Sequence, residues 1–250
     1  MLKLRDARTG ELAQALPAGR RQLRILVAAP GHLRAYLTAD LLRRAAELTG
    51  LLPTVTELLP ASATAGILHA ASDALNIHPP QDILTAPVDP LVGIPLFDVG
   101  IRPANMAMSS DGTDRARLWM DVGSDNPEAD LGDEPLAIRL ALMRHGHAEA
   151  VPGAGEPGGT GDASAGEAAA ILARWRALVA HWARSPSGAM SREYNEAITQ
   201  AFANDLDTVT ALRALTKLTD DPDVPDGVKF ETFAGADRFL GLDLTRDIGK

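Results

Sequence analysis

The feature that most constrains the fold is an apolar strand that turns through a glycine into a helix. Residues 23 to 27 are an apolar run of strand length, and residues 33 to 49 place apolar side chains at three- and four-residue spacing. Residues 28 to 32, Ala-Ala-Pro-Gly-His, join the two. Such a turn presents unpaired backbone N–H groups and the positive end of the helix dipole, so it favours a phosphate. The pattern is also typical of an ordinary first crossover in an α/β sheet.

Strands and helices keep alternating through the first half of the chain, which predicts a parallel sheet because parallel strands need long crossovers. Before this unit, residues 2–6 and 12–16 read as a short hairpin. The predicted elements after the first helix are a strand at 53–59, a helix at 61–76, an irregular connection at 81–95, and strands at 96–101 and 117–122. This half is therefore predicted to be an α/β domain.

The sequence pattern changes near residue 133, from alternating strands and helices to helices and a loop. Residues 151 to 166 have the composition of a flexible loop. The predicted helices lie at about 135–144, 167–184, 190–204, 207–219 and 229–240. We expect a reduced Rossmann-like, nucleotide-binding-type domain over residues 1–132 and an all-α helical bundle over residues 133–250.

Composition excludes several classes of function. The chain has no cysteine, which excludes disulfides and thiolate zinc sites. It has no apolar run of the roughly 18 residues that a membrane span needs, and no apolar segment of signal-peptide length near its start. We therefore expect a cytoplasmic protein without a membrane association. The net charge of −9 disfavours strong binding to nucleic acid.

Two groups of side chains in the second half invite a functional interpretation. His145 and His147 could bind a metal, but a helix C-terminus explains them more simply, and we predict no metal site. Trp175 and Trp182 could stack a ligand, but their seven-residue spacing on one helix face favours packing.

Several segments carry a family resemblance, and they occur in the same order as in that family. They are residues 4–9, 36–41, 75–80, 134–142, 171–176, 204–208 and 240–244. Together they resemble cysteinyl-tRNA synthetase and, more closely, the actinobacterial cysteine ligase of mycothiol biosynthesis, a class I synthetase-like enzyme that uses ATP. The resemblance implies a class I synthetase-type sheet domain followed by helices.

The resemblance also implies two signature loops. In the family, a HIGH-type loop binds ATP phosphates with two histidines at a helix N-terminus. Here Gly31 and His32 remain, and Ala29 stands in place of the first histidine. A KMSKS-type loop brings lysines to the pyrophosphate, but residues 107 to 112, Ala-Met-Ser-Ser-Asp-Gly, contain no lysine. The remaining phosphate site would consist of Gly31, His32, Ser109 and Ser110, with ATP as its ligand.

The same comparison implies that this chain lacks the family's zinc site. Its first thiolate ligand corresponds to Ala28, and the segment between Pro80 and Ile94 is too short to contain the remaining ligands. We expect no zinc and assign no catalytic residue.

Three interpretations of function remain open. The preferred one is a degenerate paralogue of the ligase family, a pseudoenzyme that acts as a binding or scaffold partner, by self-association or with another protein. The alternative is an ATP-dependent, ligase-like enzyme that forms an aminoacyl-adenylate with an amino acid other than cysteine. The third is a tRNA-binding factor. The 18 acidic and 12 basic residues from Asp133 onward, a net charge of −6, disfavour tRNA.

Overall fold

The structure is a computed structural model of the 250-residue chain. It describes residues 1–29, 32–59, 72–85, 97–104, 116–123, 133–151 and 161–250, with the backbone alone at residues 161–163. Most of the helix predicted at 61–76 lies outside these ranges, and residues 72–74 are helical. No described helix is long and apolar enough to cross a membrane.

Seven strands and six long helices are described. The strands are β1 (Lys3–Arg5), β2 (Leu12–Gln14), β3 (Gln22–Val27), β4 (Leu52–Leu59), β5 (Asp82–Thr85), β6 (Phe97–Pro103) and β7 (Ala116–Val122). The helices are α1 (Leu33–Leu48), α2 (Pro135–Met143), α3 (Gly161–Trp182), α4 (Arg192–Ala203), α5 (Thr208–Asp220) and α6 (Asp226–Leu240).

The central sheet has five parallel strands in the order β5-β4-β3-β6-β7. The chain leaves β3 through α1 to β4 and β5 on one side, and then returns to β6 and β7 on the other side. This order is that of a Rossmann-type half followed by two further strands. The predicted α/β class is confirmed, and the sheet is compatible with a Rossmann-like domain.

The hairpin of β1 and β2 forms as predicted and covers the outer edge of β7. The backbone N–H of Ala7 donates to the carbonyl oxygen of Trp119 at 2.7 Å. The N–H of Trp119 donates to a carboxylate oxygen of Asp6 at 3.3 Å. These two bonds occupy edge groups that could otherwise pair with another chain.

Two sequence predictions are wrong. The connection predicted to be irregular contains β5, whose four residues pair in parallel with β4 from Thr56 to Leu59. The predicted flexible loop is helical over its last six residues, because α3 begins at Gly161. Residues 152–160 of that predicted loop lie outside the described residues.

Helices α2 to α6 share their core with the sheet. Trp175 and Trp182 on α3 are each 3% exposed and meet the ring of Phe233 on α6 edge-on, at centroid distances of 5.7 and 5.3 Å. Their predicted packing role is confirmed. One apolar cluster extends from Ile25 in β3 to Leu240 in α6. Because this core is continuous, a separate helical bundle and the boundary at residue 132 stay predictions.

A buried arginine joins α2 to three other segments. The Arg139 guanidinium is fully buried and donates to the Asp40 carboxylate of α1 at 2.7 Å. It also donates to the carbonyl oxygens of Leu75 and Leu240 at 3.0 and 2.6 Å. One side chain therefore fixes α1, the segment before β5 and the end of α6 relative to one another.

Candidate functional site

The strand order creates a crevice at the carboxyl ends of β3 and β6. The crossovers leave in opposite directions from these neighbouring strands, and open α/β sheets bind ligands at such a switch point. The N–H of Ala28 donates to the carbonyl oxygen of Ile101 at 2.9 Å, which extends the pairing of β3 with β6 beyond Val27. The turn before α1 therefore starts directly at the switch point.

His32 is the N-cap residue of α1 in this crevice. Its backbone is extended, with φ −95° and ψ 101°, and its side chain makes no capping hydrogen bond. The first turn of α1 contains no acidic residue. The helix end consequently keeps the positive character of its first backbone N–H groups, which suits an anion.

The other three predicted phosphate-site residues lie outside the described residues. They are Gly31, Ser109 and Ser110. The structure places His32 at the helix N-terminus and does not describe the other three. The phosphate site as a whole therefore stays a prediction.

The two alanines of the turn are packed away from solvent. Ala28 is 7% exposed and belongs to the apolar cluster on one face of the sheet, whereas Ala29 is 0% exposed and belongs to the main core. These are the positions that the resemblance aligns with a zinc ligand and with the first signature histidine. Both side chains contribute to packing.

Arg34, in the first turn of α1, connects the crevice to the end of α2. Its guanidinium is buried and donates to the carbonyl oxygens of His145 and Gly146. Cationic groups stabilise a helix C-terminus in this way. Burial and the nearby Arg34 charge lower the pKa of His145 below its usual value, so His145 is neutral at pH 7.

A second arginine lies where β6 and β7 end. Arg102 and Asp121 are directly paired across the two strands, and the guanidinium Nε donates to the carboxylate at 2.8 Å. The guanidinium carbon also lies 5.5 Å from the ring centre of Trp119. Arg102 is therefore held by an anion on its own sheet and by an aromatic face.

His147 joins this edge to the segment between α4 and α5. Its Nδ1 lies 3.3 Å from the carbonyl oxygen of Asp121 and its Nε2 lies 3.4 Å from the Asp205 carboxylate. Burial alone would raise the pKa of Asp205. Hydrogen bonds from His147 and from the backbone N–H of Arg5 outweigh burial and hold this pKa below its usual value.

A buried tyrosine lies one helical turn after His32 and is paired with a buried glutamate of β4. The Tyr36 hydroxyl donates to a carboxylate oxygen of Glu57 in β4, and the two residues are 4% and 3% exposed. Burial and the neighbouring carboxylate raise the pKa of Tyr36 well above its usual value. This pair fixes the first half of α1 on the sheet next to the switch point.

Sequence reasoning did not predict which polar residues meet around the crevice. The residues whose contacts only the structure shows are Arg34, Tyr36, Glu57, Arg102, Asp121, His147 and Asp205. The one available signal was the position of Glu57 and Arg102 near the ends of apolar strands. Among the residues described, no group of three or more histidine or acidic side chains is arranged to hold a metal ion.

Comparison with known proteins adds no family to these observations. The chain matches no protein-family model, and no curated protein matches it.

Proposed function

We propose that this protein is a class I synthetase-like pseudoenzyme, a degenerate paralogue of the cysteine ligases that works by binding a protein partner. The observation that carries the proposal is that Arg34, Arg102 and His147, basic side chains described around the switch point, contact acceptors within the chain. Adenylate-forming chemistry needs preorganised positive charge where the pyrophosphate charge develops.

Each of these basic side chains has a structural task. Arg34 holds two carbonyl oxygens at the end of α2, and Arg102 is paired with Asp121. His147 contacts Asp205. A phosphate would have to displace these contacts, and the partly buried carboxylates left behind would lose hydrogen bonds.

The packing of Ala29 supports the same proposal. A catalytic histidine there would need space and access to the crevice, and this side chain lies in the main core. The alanine contributes to the stability of the fold in a position where the resemblance implies chemistry.

Pyrophosphate exchange tests the loss of chemistry. Purified protein with ATP, magnesium and each of the twenty amino acids in turn should give no exchange above background. ATP-dependent exchange with any one of them would overturn the proposal. Light scattering coupled to size separation tests partnering, and we expect a dimer or a co-purified protein. A strictly monomeric species with no companion would count against the binding role.

The second candidate is an enzyme that forms an aminoacyl-adenylate with an amino acid other than cysteine. The observation that favours it is the N-terminus of α1 at the switch point, with His32 as a cap whose side chain makes no capping bond. Here ATP should raise the melting temperature, and His32→Ala should reduce that shift. An absence of any shift at millimolar ATP would remove this candidate.

A further inference from the structure

We propose that a cleft near the C-terminal end of α1 binds a small zwitterion, a molecule with an amine at one end and a carboxylate or phosphate at the other. The cleft lies in a different part of the molecule from the switch point, so binding there does not depend on the proposed function.

The cleft has the size of a small-molecule site. Its volume is about 580 Å³, and it opens to solvent between residues 73–76, the start of α2, the second half of α6 and residues 241–245. Small-molecule sites in proteins usually measure roughly 300 to 1,000 Å³. Arg44 of α1 lines the cleft. It lies twelve residues after His32, or about 18 Å along the helix, so the cleft is separate from the switch point.

Side chains of both charges line this cleft. The acidic ones are Asp73, Asp237 and Asp243, and the basic ones are Arg44 and Arg238. Within the described part of the chain, the exposed Arg238 guanidinium has no hydrogen-bond or ion-pair partner. The Asp243 carboxylate likewise accepts no hydrogen bond from any described residue. Both groups are exposed and can contact a ligand, and Arg246 is a cation whose charge interacts with that of Asp243.

The acidic side of the cleft is suited to a cation. Asp237 is fixed there because its carboxylate accepts the backbone N–H groups of Leu242 and Leu244 at 2.7 and 2.9 Å. Burial, with a contribution from the Asp243 charge, raises the pKa of Asp237 in spite of these two bonds. An ammonium group between the two carboxylates would reduce their repulsion.

The floor of the cleft is held rigidly before any ligand binds. Arg44 donates to the Asp40 carboxylate at 2.7 Å and to the carbonyl oxygen of Asn76 at 2.9 Å. Gly241 lies directly on this guanidinium with a φ of +65°, and a Cβ there would be 3.0 Å from it. A preformed floor lowers the entropic cost of binding.

These groups define how a zwitterion would lie. Its amine contacts Asp237 and Asp243, and its anionic group contacts Arg238. The carbon chain between them lies on Leu136, Ala74 and Ala234, the apolar residues of the lining. Because the two charges are recognised by different groups, both are needed for binding.

Titration calorimetry with the full chain tests this inference. The probes are β-alanine, γ-aminobutyrate and O-phosphoethanolamine, which differ in length and in the anionic group. Butylamine and butyrate each carry one of the two charges. We expect saturable binding of at least one zwitterion and binding at least about tenfold weaker for the single-charge analogues, since charge-assisted hydrogen bonds are the strong ones.

Two variants locate the site. Asp243→Asn and Arg238→Gln should each weaken binding by about tenfold, because each removes one charged contact. The matched control is Arg192→Gln on α4, whose 90% exposed side chain pairs with Glu196, and it should bind like the parent. Binding that survives both cleft substitutions would overturn the assignment, as would no binding of any zwitterion or equal binding of butylamine. Adenylate chemistry plays no part in these readouts.

Discussion

The two ends of α1 use charge in opposite ways. At its N-terminus, the His32 side chain makes no capping hydrogen bond, and the positive end of the dipole faces the switch point. Further along the helix, Asp40, Arg43 and Arg44 form a cluster with Arg139, and their side chains are between 0 and 11% exposed. The cluster around Asp40 anchors the fold by buried ion pairs, whereas the first turn of α1 presents its backbone N–H groups at the switch point.

Asp40 is the acidic centre of that cluster, and neighbouring basic groups stabilise its ionised form. Burial alone would raise the pKa of Asp40. The hydrogen bond from His78 and the charges of Arg139 and Arg44 hold it well below its usual range. A buried ion pair of this kind adds little over an apolar substitute but is costly to break from one side. The contrast between the two ends of α1 is therefore measurable as stability.

The largest effect is expected from Arg139→Met. It removes donors to Asp40, Leu75 and Leu240 in a fully buried setting, so the free energy of unfolding should fall by about 3 to 5 kcal/mol. Urea denaturation measures this loss. The control is Arg144→Met, five residues later on the same chain segment, whose exposed partner is Glu167. Similar losses for both variants would show that the buried cluster has no special role.

The first turn of α1, at Tyr36, should show an intermediate loss of stability. Tyr36→Phe leaves the buried Glu57 carboxylate without the hydroxyl donor, at a cost of about 1 to 3 kcal/mol. The double variant Tyr36→Phe, Glu57→Met removes both partners and should recover part of the loss. Failure of the double variant to recover any stability would mean that the tyrosine acts through packing alone.

The third-largest effect is expected from acid, which should lower the stability that the cluster around Asp40 contributes. Because the pKa of Asp40 is lowered in the folded state, its contribution is complete above the unfolded value of 3.8 and is lost as pH falls below it. The loss for this one group can reach about 1.4 kcal/mol per pH unit. Urea midpoints between pH 5 and pH 3 measure it. The Asp40→Asn variant should show a shallower decline, and an equal decline would assign the acid sensitivity to other carboxylates.

The smallest effect is expected at the N-termini of the helices. Asp207 caps α5 by accepting the N–H of Thr210 at 2.9 Å, so Asp207→Ala should cost about 1 kcal/mol. His32→Ala should cost less than this, because its side chain makes no capping bond. Thermal unfolding of the two variants gives the comparison. A larger loss for His32→Ala would place this residue among the anchors of the fold.

Local pattern was sufficient where an element has strong periodicity. The apolar spacing of α1 predicted its extent closely, and Gly50, with a φ of +79°, follows its end as expected. Local pattern did not predict β5, whose four residues form an edge strand with one exposed isoleucine at position 83. Such a short segment becomes a strand only because β4 offers it hydrogen-bonding partners.

The prediction for the start of α3 was wrong for a related reason. Residues 161 to 166 contain two glycines and read as a loop. Helix initiation is costly but extension adds a hydrogen bond for each residue fixed, so the alanine-rich segment that follows can carry the helix backwards. Composition taken alone does not include this cooperativity.

The sequence by itself determined the α/β class, the presence of helices in the second half and the extent of α1, because each depends on neighbouring residues. Only the tertiary structure decided which polar groups meet. Asp40 and Arg139 are 99 positions apart, and Arg34 reaches carbonyl oxygens more than 110 positions away. No local periodicity encodes such pairs, since they arise when the packing of apolar faces brings distant segments together.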